Sequence, residues 1–157
     1  MVRTAVPPVP FDPDANIAPR NRPRALDPAF GPPQGRAMTF AARLTRVPIA
    51  YDPAPADELA AEFGDLAPEL RDLVAGTAGC SPYLRDLAMR EADWLRAALT
   101  RAPEAVLDDE LAAATGETDS ALRPALRTAK RRIALLAGLA DLGGVWSLEE
   151  VTGALTR

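Results

Sequence analysis

Histidine is absent from this 157-residue chain, and cysteine appears once, as Cys80. Without imidazole there is no Ser-His-Asp triad, no Cys-His pair and no histidine-ligated zinc site. A lone thiol excludes an internal disulfide framework and fits a reducing cytoplasm, and no neighbouring cation activates it as a nucleophile. Aromatic residues make up only 5%, with none of the basic–aromatic interleaving that stacks single-stranded nucleic acid. A surplus of cations is also missing. The net charge is −4 and the isoelectric point lies near 4.9, which argues against a protein held on phosphates by counterion release. No apolar run reaches the ~20 residues of a membrane span, and MVRTAVPPVPFDPD contains no signal-peptide core. The glycines in GTAGCSP and LGGVW match no phosphate-cradling pattern. These absences point to a soluble, cytoplasmic protein with no membrane or nucleic-acid partner.

What the chain does contain is divided unevenly. Twelve of its sixteen prolines fall within the first 55 residues, where they remove backbone donors and bias their predecessors away from helix. Residues 1–37 therefore read as a disordered Pro/Arg-rich leader and 38–55 as an extended lead-in. A short apolar-basic run starts at Met38, so Met38 is a candidate start codon, with 1–37 either an upstream over-extension of the reading frame or a genuine disordered tail. FDPDAN places Asp12 and Asp14 in a D-x-D spacing, but with no strand around them to hold a metal.

From residue 56 to 157 the spacing turns helical, and the expected class is all-α, a helical bundle segment. Leu59, Phe63, Leu66, Leu70, Leu73 and Val74 recur at steps of three and four, with Gly64 and Pro68 as punctuation and Gly76 and Gly79 as a helix end. Ser81–Pro82 is a cap followed by a first-turn proline. The helix it opens shows one face through Leu84, Leu87, Ala88, Glu91, Leu95 and Leu99, apolar except at Glu91, with Trp94 beside it, and Pro103 closes it. PEAVLDDELAAAT forms a shorter helix, and its Asp108–Glu110 run reads as a solvated segment. A long helix is expected over 119–142, with a seam through Leu122, Leu126, Ala129, Ile133, Leu136 and Ala140 and a stop at Gly143–Gly144. Pro124 is tolerated in its first turn and would kink it deeper in. In WSLEEV, Ser147 and Glu150 make a capping box, with Trp146 and Val151 spaced as a hydrophobic staple.

The candidate contact site is the cationic run on the long helix. Three successive helical residues fan over ~200°, so Lys130, Arg131 and Arg132 cannot all meet one ligand. Arg127 and Arg131 are one turn apart, and with Lys130 they form a small cationic stripe that could contact an anion or a partner. The plainer expectation is a solvated helix flank paired with anions on a neighbouring helix. Asp141, near the helix end, is expected to face solvent or to bond at the cap. No catalytic, cofactor-binding or metal-ligating residue is assigned.

AGTAGCSPYLRDLAMREADWL, followed by LRTAKRRIALLAGLADLGGVWSLEEVTGALT, resembles the N-terminal portion of the bifunctional glutamine synthetase adenylyltransferase/adenylyl-removing enzymes of the alphaproteobacterial kind. The similarity runs over roughly 39–157, and Pro124 departs from the pattern. It implies a nucleotidyltransferase parent that moves AMP to and from glutamine synthetase with ATP and Mg²⁺, under PII-type regulation. The family's G…D-x-D metal strand would lie downstream of these helices. The resemblance thus implies a helical segment of the adenylyl-removing half, inactive alone, whose last helix opens shortly before Arg157 because further chain follows it. The alternative is a free-standing, non-catalytic helical interaction module.

Overall fold

The computed structural model describes residues 38–116 and 119–156; the leader 1–37 lies outside the described residues. Among the described residues eight helices follow in order: α1 (Phe40–Arg43), α2 (Pro53–Glu62), α3 (Pro68–Cys80), α4 (Pro82–Arg90), α5 (Ala92–Leu99), α6 (Pro103–Thr115), α7 (Asp119–Leu142) and α8 (Leu148–Thr156). No strand occurs among the described residues, in keeping with the all-α expectation.

Proline writes much of this punctuation. Helices α2, α3, α4 and α6 each begin on one, where its fixed φ suits the first turn and its missing donor would have had no partner. Ser81 Oγ accepts from the Leu84 N–H at 3.3 Å, as the Ser-Pro signal implies. Helix α3 is buried on nearly every face from Leu70 to Gly79, which makes it the central rod of the bundle. Around it the fully buried Phe40, Leu59, Phe63, Leu73, Leu95, Leu99, Leu135, Leu136 and Leu139 form the core. Each such side chain contributes about 2 kcal/mol of burial.

Three expectations need correction. Gly76 and Gly79 do not end a helix; they lie inside α3, which runs on to Cys80. A Cβ on Gly76 would stand 2.0 Å from the Pro48 carbonyl oxygen, and one on Gly79 would stand 2.4 Å from Ala50 Cβ. The two glycines form a bed for the extended segment 44–52, and the Asp52 N–H donates to the Gly79 carbonyl at 2.9 Å. Second, the lead-in is not extended throughout. Thr39 caps a single turn at α1, which drives Phe40 into the core, and α2 begins at Pro53 under an Asp52 cap. Third, the helix begun at Pro82 breaks at Glu91, whose backbone at φ −108 and ψ 29 separates α4 from α5.

The long helix α7 spans the residues expected of it. Pro124 is its sixth residue and removes one backbone bond from the ladder. Of the seam, Ala129, Leu136 and Ala140 are buried and Ile133 is half-buried, whereas Leu126 remains 48% exposed. The helix ends in a Schellman motif: the Val145 N–H donates to Ala140 O at 2.8 Å and the Gly144 N–H to Asp141 O at 3.0 Å, with Gly144 at φ 62. A side chain at Gly144 would be strained by that φ and would meet Thr45 Oγ1. Arg46 completes the stop by donating to the Asp141 and Leu142 carbonyls at 2.6 and 3.1 Å, a cation set against the negative end of the helix. Asp141 itself faces solvent, 4.0 Å from Arg46. At α8 the capping box is closed in both directions, Ser147 N–H to Glu150 at 2.6 Å and Glu150 N–H to Ser147 Oγ at 3.3 Å. Trp146 is buried and Val151 packs against the core.

Candidate functional site

The cationic run on α7 meets the break between α4 and α5. Glu91 lies there with a side chain only 7% exposed, and an unpaired charge at that depth would cost several kcal/mol. Arg131 donates through Nε to one carboxylate oxygen at 3.1 Å and Arg132 through Nε to the other at 2.9 Å. Arg132 then reaches on to Glu110 of α6 at 3.2 Å. Its guanidinium carbon sits 5.3 Å from the centre of the Trp94 ring, and the Trp94 indole donates to Glu110 at 2.7 Å. Two carboxylates, two guanidiniums and one indole thus join α5, α6, α7 and the α4–α5 break. Burial raises the Glu91 carboxyl, but the hydrogen bonds from Arg132 and Arg131 outweigh it, and the group stays below its ordinary value.

A second cluster repeats the chemistry at the start of α6. The Trp146 indole donates to Glu104 at 2.7 Å, and Arg43 of α1 pairs with the same carboxylate. Arg43 also donates to the Val145 carbonyl at 2.7 Å and lies 3.6 Å from Glu150. Here burial again opposes ionisation and the indole and guanidinium bonds again prevail, so Glu104 is held low as well. A third arginine, Arg96, stands over the Phe63 ring at 4.8 Å and bonds Asp65 through both carboxylate oxygens and Glu62.

The three expected contact residues separate. Arg131 is taken up by Glu91, whereas Arg127 and Lys130 are exposed and carry no bond among the described residues. Sequence spacing passed over Arg132, the more heavily bonded neighbour, and treated Glu110 as solvated when its side chain is only 12% exposed. The available signal was Glu91, the one acidic position on an otherwise apolar face. Cys80 is exposed, and its thiol donates to the Ile49 carbonyl at 3.2 Å.

Chemically the clusters are closed. The carboxylates of Glu91, Glu104 and Glu110 already accept from guanidinium or indole donors, which leaves no free pair suited to Mg²⁺ and no base poised for proton transfer. Among the described residues no group of three or more acidic or thiol side chains could hold a metal, and no helix is long and apolar enough to cross a membrane. An open groove of about 240 Å³ runs between α6 and α7 over Ala113, Ala114, Ala125 and Ala129.

The chain is similar to curated enzymes named bifunctional glutamine synthetase adenylyltransferase/adenylyl-removing enzyme. It is 36% identical over 137 residues to the one from Rhodopseudomonas palustris, covering 74% of this chain and 14% of that enzyme. To the Xanthobacter autotrophicus enzyme it is 36% identical over 131 residues, covering 80% and 13%. To the Caulobacter vibrioides enzyme it is 42% identical over 101 residues, covering 62% and 9%. The chain therefore spans about one seventh, or less, of the length of these relatives. No protein-family model and no solved structure matches it.

Proposed function

We propose, from the premise that this chain is related to the bifunctional glutamine synthetase adenylyltransferase/adenylyl-removing enzymes, that it is a non-catalytic helical segment of such an enzyme. Its role is to pack beside the adenylyl-removing domain and to shape the contact with glutamine synthetase. The supporting observation is the saturation of its buried acids. Glu91, Glu104 and Glu110 are committed to guanidinium and indole partners, so these side chains fix helix positions instead of binding nucleotide or metal. ATP and Mg²⁺, which the family's chemistry implies, do not fit this donor set. Regulation by a PII-type protein belongs to the same proposal and acts outside the described residues.

Two measurements test this reading. The chain alone, mixed with adenylylated glutamine synthetase and phosphate, is expected to release no AMP. Added in trans to a relative's enzyme from which the homologous segment has been deleted, it is expected to restore AMP removal. Turnover by the chain alone, or no restoration in trans, overturns the proposal.

A further inference from the structure

We propose that the outer face of α7, built from Arg123, Arg127 and Lys130, is a docking surface for an acidic helix of another polypeptide. The first ground is segregation of charge. Among the described residues Arg43, Arg46, Arg71, Arg85, Arg96, Arg101, Arg131 and Arg132 each have a carboxylate within 4.0 Å. Arg90 on α4 and Arg123, Arg127 and Lys130 on α7 have none among the described residues, although the chain as a whole carries more acids than bases, 22 against 18. In a molecule with surplus carboxylates, three neighbouring cations left without partners mark a surface arranged to stay open.

The second ground is geometry. At 100° per residue the three positions fall within about 60° of one another, on a stripe of about 10 Å. In this half of α7 the buried Ala129 faces the core and Arg123, Arg127 and Lys130 are exposed, whereas further along the same face closes at Ala134 and the buried Ala137. The neighbouring outward positions Ser120 and Pro124 are small and bear no charge. A helix with carboxylates at i, i+4 and i+7 matches the stripe in length and spacing. A duplex matches less well, because three cations neutralise few phosphates while the rest of the chain repels them.

The full, isotope-labelled chain is titrated with an alanine-based helical peptide carrying a Glu stripe at i, i+4, i+7, and in parallel with a short DNA duplex. Amide shifts are expected to concentrate between 120 and 134 and to weaken as salt shortens the screening length from about 30 Å to about 10 Å. The combined Arg123→Glu, Arg127→Glu and Lys130→Glu variant is expected to lose peptide affinity by at least about tenfold. Its melting temperature should stay put, since these side chains make no hydrogen bond or ion pair among the described residues. Reversal at Arg71, on α3, should leave peptide binding unchanged. Shifts mapping elsewhere, affinity untouched by the triple reversal, or tighter binding of the duplex than of the peptide each overturn the proposal.

Discussion

Two tryptophan–glutamate–arginine clusters sit on α6, and they do different work with the same parts. At Glu110 and at Glu104 an indole N–H arrives at 2.7 Å and a guanidinium completes the shell. The Glu110 side chain is 12% exposed, whereas that of Glu104 is 51% exposed. The inner cluster also shares Arg132 with a second buried carboxylate, Glu91, and so couples α5, α6 and α7 in the middle of the bundle. The outer one ties α1 and the α7–α8 turn to the rim. The same donors hold a core together in one place and latch the margins in the other, and the difference is solvent access: interactions screened by water are worth little, whereas unpaired buried charges cost a great deal.

Breaking the inner cluster is expected to give the largest effect. Glu91→Gln leaves two guanidiniums facing a neutral amide and should cost about 3 kcal/mol, read from urea unfolding. A loss under about 0.5 kcal/mol would remove the distinction between the clusters. Glu104→Gln is expected to cost about 1 kcal/mol, with faster amide exchange confined to α8 and the 143–146 turn. Exchange rising evenly through α3 would show the latch to be as central as the inner cluster.

Acid should sharpen the contrast. Both Glu91 and Glu104 are held below the ordinary carboxyl value of 4.5, so the folded state binds fewer protons than the unfolded one. Their stabilisation is complete above that value and is lost as pH falls through their lowered folded values. Glu91→Gln should therefore flatten the acid limb of stability against pH; an unchanged limb would show that Glu91 carries none of it. The smallest effect belongs outside both clusters: Arg127→Ala should shift stability by less than about 0.5 kcal/mol in the same urea assay.

Local signals made much of this readable in advance. The Ser81–Pro82 start, the 119–142 helix with its Gly143–Gly144 stop, and the Ser147–Glu150 box are each settled by residues within a turn or two of one another. The sites were less readable because they join residues far apart in the chain. Glu91 meets Arg131 and Arg132 across about forty positions, and nothing local says which of three adjacent cations will face it. Gly76 and Gly79 look like helix breakers until Pro48 and Ala50 lie against them. Glu110 sits in an acidic run whose neighbours are exposed, and only the positions of Trp94 and Arg132 draw it inward. Kinship with the adenylyltransferases was carried by long motifs, which survive even where the pairings inside them cannot be deduced.

The stop at the end of α7 also bears on the order of folding. Thr45 and Arg46 close the carbonyls of residues 141–144 across sequence separations of 95 to 99 positions. The first described turns are therefore fastened to some of the last described ones. A chain emerging from the ribosome can build α2 to α6 from near neighbours, but its opening strap has no anchor at α7 until almost the whole bundle has been synthesised. Closing so long a loop carries an entropic cost that only the finished packing repays. During that interval the strap lacks its last anchor, so a pause in translation before residue 141 is where misassembly would begin.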